Sequence, residues 1–125
     1  EYYEFTVELM PLDITEELLL LLKKYQVNRI SIGVETVNPK YQKLIRRVVK
    51  KEVLTDKINL AKKYFDNINL DFIYAFKDET LEEVDEDINY LLSFDVEHIS
   101  TYSLILEKIL ILVSSFLFNS FHWYR

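Results

Sequence analysis

The feature that most constrains this chain is a unit that recurs along it: a short run of β-branched or aromatic residues, then a longer stretch with helical spacing. The clearest run is Arg29-Ile30-Ser31-Ile32-Gly33-Val34-Glu35, in which Ile30, Ile32 and Val34 alternate with small residues. Such a run between helical segments reads as a strand buried in a parallel sheet. Ser31 and Gly33 leave room for close packing where a sheet is crowded. Gly33 is the only glycine among 125 residues.

The same logic extends in both directions. Glu4-Phe5-Thr6-Val7-Glu8 is a strand stopped by Pro11. Asp13 and Glu16 read as a helix cap and its reciprocal partner. Ile14, Leu18, Leu21, Leu22 and Tyr25 form the apolar stripe that follows, and Asn28 is the expected left-handed exit. Asn38-Pro39 opens a second helix, with a stripe of Tyr41, Leu44, Ile45 and Val48. A third helix is expected over residues 52–65, with Leu54, Ile58, Ala61 and Phe65 on one face. Residues 68–74 read as a strand. Thr80 and Glu83 form a capping box for a helix whose stripe is Leu81, Val84, Ile88, Leu91 and Leu92. Residues 98–104 read as the fourth strand.

Strand, helix, strand, two helices, strand, helix, strand implies right-handed crossovers and a parallel α/β sheet. Four strands cannot close a barrel, so the expectation is an open sheet or an arc of a larger barrel. Residues 1–107 form this unit. Residues 108–125 read as a divergent apolar tail, whose uncharged span Ile109 to Tyr124 is shorter than the ~20 residues of a membrane helix. The tail reads as a core helix or an aggregation-prone segment. With Met10 as the sole methionine, the chain reads as the interior of a longer protein or a clipped gene product.

Composition removes several classes. Fifteen basic and 21 acidic residues give a net charge of −6, which argues against a nucleic-acid partner. With no cysteine, the chain supplies no disulfide and no thiolate for a metal or iron–sulfur cluster. One glycine rules out phosphate-binding turns rich in that residue. No Ser-His-Asp order or HExxH is present, and His98 and His122 lack metal-ligand spacing and read as structural.

In parallel α/β sheets, ligands sit at the carboxyl ends of strands. Glu8 and Glu35 close the first and second strands, Asp71 lies within the third, and Tyr102 and Ser103 lie late in the fourth. Arg47, on the segment after Glu35, could grip a ligand carboxylate in bidentate fashion. The plainer reading makes these acids caps or surface charges, and Arg46 and Arg47 a solvated helix face. Asp71, between Leu70 and Phe72, needs a partner if buried.

Taken together, Glu8-Leu9-Met10-Pro11, Val27 to Glu35, Asn67 to Tyr74 and Glu97 to Leu104 resemble the radical S-adenosylmethionine (SAM) enzymes of the oxygen-independent coproporphyrinogen III oxidase group, which includes haem chaperones. The likeness covers about Glu4 to Glu107, in order and in register. It implies a partial (βα)6 TIM-like barrel of which this chain supplies the third to sixth strands, with helices on the outer face. It also implies a SAM cofactor and a [4Fe–4S] cluster, whose CxxxCxxC ligands and Gly-rich turn would precede Glu1. The cluster cleaves SAM to a 5′-deoxyadenosyl radical, which the oxidases use to abstract hydrogen from porphyrinogen propionates. The chaperones bind haem.

Carried over position by position, Glu8, Arg47 and Asp71 match SAM-contacting residues, and Glu35 stands where the family has glutamine. Met10 replaces the polar residue of the first element. Arg46 stands where glycine usually precedes the arginine. The loop Gly-Leu-Pro-Gly-Gln-Thr reads Ala75-Phe76-Lys77-Asp78-Glu79-Thr80, without its glycines or proline. The expectation is a cytoplasmic radical SAM fragment, inactive by itself, with SAM and a porphyrin or haem as small-molecule partners. The alternative is a non-catalytic α/β interaction module that keeps only the scaffold.

Overall fold

The computed structural model describes residues 3–105. The order is β1 (Thr6–Leu9), a 3-10 turn at Pro11–Asp13, α1 (Glu16–Lys24), β2 (Arg29–Glu35), α2 (Pro39–Leu44), α3 (Lys51–Lys62), β3 (Ile68–Tyr74), α4 (Leu81–Leu92) and β4 (His98–Ser103). All paired strands are parallel, and their order in the sheet is their order in the chain. Among the described residues the sheet is open, with β1 and β4 at its edges. The expected parallel α/β arc is therefore what forms. The tail at 108–125, His122 and the boundary at 107 lie outside the described residues.

Side chains alternate across a strand, so each strand offers a different face to each side. Ile30, Ile32 and Val34 of β2 share a face with Ile68, Leu70 and Phe72 of β3, and all six are buried. They join one cluster with Leu19, Leu54, Ile58, Ala61, Phe65 and Leu91 from α1, α3, α4 and the turn after α3. Burying an aliphatic or Phe side chain of this size contributes about 1.5–3 kcal/mol. That is the main force holding the helices to one side of the sheet. The opposite face carries Glu8, Ser31, Asn69, Asp71, His98 and Ser100, which are polar.

Several local expectations change. Thr15, not Asp13, caps α1: its hydroxyl accepts from Leu18 N at 3.2 Å, while Asp13 ends the 3-10 turn. Leu19 is the buried residue of α1, and Leu21 and Tyr25 are exposed. The left-handed exit falls at Gln26, with φ 63°. Asn28 instead ties down the chain before β1, accepting from Phe5 N and donating to Tyr3 O, both at 2.7 Å. Helix α2 starts as expected at Asn38-Pro39 but ends after six residues. Its Leu44 and the following Val48 are exposed, while Tyr41 and Gln42 are buried. The α3 stripe holds in full. The Thr80–Glu83 capping box is present, yet Leu81 and Leu92 of α4 are exposed and Asp87 is buried.

Arg46, Ala75 and Asp78 adopt left-handed φ of 57°, 66° and 62°. These are three positions at which the resembled motifs carry glycine and this chain does not. The backbone thus keeps turns that glycine makes without a Cβ clash, and each such residue costs roughly 1–2 kcal/mol against the right-handed form. Ala75→Gly is expected to stabilise the chain by about 0.5–1 kcal/mol, after the unfolded-state entropy of glycine is subtracted. Urea denaturation followed by circular dichroism measures it, and no gain would show that the turn is unstrained.

Candidate functional site

The polar face is built in rows that cross the strands. Glu8, Ser31, Asn69 and His98 stand opposite one another on β1 to β4. Gly33, Asp71 and Ser100 form the next row towards the carboxyl ends. Ser31, Asn69 and Asp71 are at most 5% exposed, so their polar atoms need partners within the protein. They supply one another. Asp71 Oδ2 accepts from Ser31 Oγ at 2.8 Å, and Asp71 Oδ1 accepts from Asn69 Nδ2 at 3.0 Å. Asn69 Nδ2 also donates to Ser31 Oγ at 2.7 Å.

The end of β2 departs from regular pairing. The register shifts between Gly33 and Glu35, and Glu35 has φ 66°. Its carboxylate folds back over Gly33: a Cβ there would lie 3.0 Å from Glu35 Oε1. A side chain at this position would crowd the carboxylate, which would have to give by a few tenths of an ångström. The same oxygen accepts from Arg47 Nη1 at 2.9 Å.

Arg47 reaches this position through a buried amide. The short α2 ends, Arg46 turns the chain, and Arg47 N donates to Gln42 O at 2.9 Å. Gln42 Nε2 donates to Thr36 O at 3.0 Å, and its Oε1 accepts from Val49 N at 3.3 Å. One side chain thus joins the exit of β2 to the approach of α3. The loop after β3 is held beside it. Tyr41 stacks on Phe76, ring centroids 4.6 Å apart, and its hydroxyl donates to Glu83 Oε2 at 2.6 Å. That hydrogen bond is the main cause holding the Glu83 carboxyl below its usual range.

The four residues singled out from the sequence therefore lie on one side of the sheet. Glu35 and Arg47 pair directly, and Asp71 is across Gly33 from them. Glu8 is exposed and one row further back, because β1 ends at Leu9, level with Ile32. The Arg47 side chain is 37% exposed. Tyr102 lies a row beyond Ser100, while Ser103 has the opposite parity on β4. Sequence reading passed over Asn69 and Gln42. Asn69 had a signal: it precedes Asp71 by two in a strand, which puts both on one face. Gln42 had none.

Asp87 was missed as well, since it sits among acids at the start of α4. It is 3% exposed and borders a cleft of about 420 Å³ with Val37, Gln42, Val49 and Lys51. Its Oδ2 accepts from Thr36 Oγ1 at 2.6 Å and from Val37 N at 3.3 Å, which ties α4 to the exit of β2. Burial pushes its carboxyl above the usual range, against the pull of those two donors. A carboxyl raised on folding binds more protons folded than unfolded, so its contribution to stability falls as pH rises. Asp87→Asn keeps an acceptor for Thr36 and cannot titrate. The stability of the wild type relative to this variant is expected to fall as pH rises from about 4 through the raised folded-state value. Urea melts of both chains from acid to neutral pH check it, and a flat difference would refute it.

A parallel α/β layer with a carboxylate set beside an Arg–carboxylate pair at its strand ends defines a domain suited to small polar ligands. Comparison with known proteins narrows this. The model of the Radical SAM superfamily matches residues 1–91, and the chain belongs to that superfamily. A haem chaperone, HemW, of Bacillus subtilis is 42% identical over 105 residues, covering 83% of this chain and 28% of the relative. The oxygen-independent coproporphyrinogen III oxidase of Helicobacter pylori (strain J99) is 28% identical over 101 residues, covering 80% of this chain and 22% of the relative. The coproporphyrinogen III oxidase HemN of Escherichia coli has the same fold over this region. Its TM-score is 0.79 at 23% identity, covering 90% of this chain and 26% of that one. The chain thus spans about a quarter of the length of these proteins. Among the described residues, no helix is long and apolar enough to cross a membrane.

Proposed function

We propose that the polar face of this sheet is the SAM-contacting surface of a radical SAM protein of the coproporphyrinogen oxidase and haem chaperone group. The observation that carries the reading is the cluster of Asp71, Glu35 and Arg47 around Gly33 at the strand ends. Glu8, Glu35 and Asp71 outnumber Arg47, so the face suits a ligand that carries a sulfonium and an ammonium group. Asp71, its oxygens oriented by Ser31 and Asn69, accepts ribose hydroxyls. Glu8 accepts the ammonium. Arg47 grips the ligand carboxylate with the part of its guanidinium not engaged by Glu35. These residues fit SAM. They do not fit a [4Fe–4S] cluster, because the chain has no cysteine, and the thiolates have to come from outside this sequence. Together, SAM and a cluster supply reductive radical chemistry, and the part of this chain is to bind and orient SAM.

Within the group, identities of 41% and 42% to haem chaperones against 28% to the oxidases favour haem over a porphyrinogen as the whole protein's partner. The cytoplasm, which keeps thiols reduced, is the setting that goes with this reading.

Isothermal titration of the full chain with SAM tests the reading. Asp71→Ala is expected to weaken binding by about tenfold or more, the usual cost of losing a charged hydrogen-bond acceptor. Glu35→Gln is expected to tighten it several-fold by releasing Arg47 to the ligand. A folded chain that ignores SAM, or one whose affinity survives Asp71→Ala, overturns the proposal.

A further inference from the structure

The hydrogen bonds around Asp71 have a direction, and that direction extends to the edge of the sheet. A carboxylate accepts only. Since Asp71 Oδ1 lies 3.0 Å from the Asn69 side chain, the amide must turn its NH2 towards Asp71 and Ser31. The reverse orientation would set the amide oxygen against the carboxylate. Asn69 Oδ1 therefore faces β4, where it lies 2.9 Å from Ser100 Oγ and 2.5 Å from His98 Nδ1. A carbonyl oxygen has two lone pairs and no proton, so both neighbours have to donate. Ser100 Oγ donates, and His98 Nδ1 carries a hydrogen. Were the proton on Nε2 alone, two lone pairs would meet between Nδ1 and Oδ1.

We infer that His98 is a positioning residue for Asp71: it is held with the ring proton on Nδ1, donates to Asn69, and through that amide fixes the carboxylate. In the neutral ring Nε2 is then a bare acceptor, and it has no partner among the described residues. The ring is exposed on edge strand β4, so this nitrogen is open to a donor arriving on the polar face or at the sheet edge. A histidine whose Nδ1–H is anchored to a carbonyl has a fixed ring orientation and a defined tautomer. Its role for a ligand rests on the reading that Asp71 contacts SAM. The hydrogen-bond order does not.

The test is made first without ligand. Long-range nitrogen–proton correlation spectra of the 15N-labelled full chain report the ring tautomer, with His122→Gln separating the two histidines. A neutral His98 ring protonated on Nδ1 is expected, and Asn69→Leu is expected to move the proton to Nε2. Exchange of the Asn69 side-chain NH2 protons gives the second readout. His98→Leu is expected to speed it about tenfold, whereas His98→Asn, which can place an N–H where Nδ1 was, retains protection. A proton on Nε2 in the wild type overturns the inference, as does equal loss of protection in both variants. In the presence of SAM, His98→Leu is expected to weaken binding more than His98→Asn, and equal affinities deny His98 any part in ligand binding. If Asp71→Ala leaves SAM binding unchanged while the ring stays protonated on Nδ1, the SAM reading fails and the relay stands.

Discussion

The structure depends on the alternation of two central strands. Over Arg29–Glu35 of β2 and Ile68–Phe72 of β3 every second residue is a large aliphatic or aromatic group, and the residues between are small or polar. A slip of one residue would exchange the two faces and put Asn69 and Asp71 under the helices. Six apolar side chains at about 1.5–3 kcal/mol each fix the register against that slip. The register then decides which polar groups meet. Ser31, Asn69 and Asp71 are adjacent because the apolar face requires it, and being adjacent they satisfy one another. Packing on one side thus determines chemistry on the other.

The polar side carries a cost that constrains its sequence. An amide or carboxylate buried without a partner costs about 1–3 kcal/mol, so the network is stable only when complete. Leucine at Asn69 would strand the Asp71 oxygen, the Ser100 hydroxyl and the His98 ring together. That coupling explains how side chains on three strands from distant parts of the chain hold one carboxylate in place. The Glu35–Arg47 pair solves a similar problem at the end of β2 by opposite charges, and Gly33 provides the space in which they meet.

What the sequence revealed divides along the same line. Strands and the α3 stripe were legible because burial leaves a periodic trace: Leu54, Ile58, Ala61 and Phe65 are buried as their spacing implies. So were the capping box at Thr80 and the opening of α2, which depend on neighbouring residues alone. The α2 stripe was misread because Gln42, a polar residue, takes the buried position to satisfy Thr36 and Val49, while Leu44 faces solvent. Asp87 was illegible for the same reason. Its partner Thr36 is 51 positions away, and no local pattern predicts a contact of that separation. Of the candidate site, carboxylates at strand ends could be found by topology. The Asn69 link could be found only by asking which residues share a face with Asp71.

The conformations at Arg46, Ala75 and Asp78 bear on how closely this chain follows its relatives. A turn that needs positive φ can survive loss of glycine only if its surroundings impose it. Here they do. Tyr41 packs on Phe76 between two of these positions, Glu79 Oε2 accepts from Phe76 N at 3.1 Å, and Gln42 O holds Arg47 N just past the third. The path of the loops around the site is thus set by buried aromatic and amide contacts rather than by local backbone preference. Residues other than glycine raise the energy of these turns without redirecting them. At the site the effect is electrostatic: a carboxylate at Glu35 engages the Arg47 guanidinium at 2.9 Å, and on the proposed reading that contact competes with a ligand carboxylate for the same group.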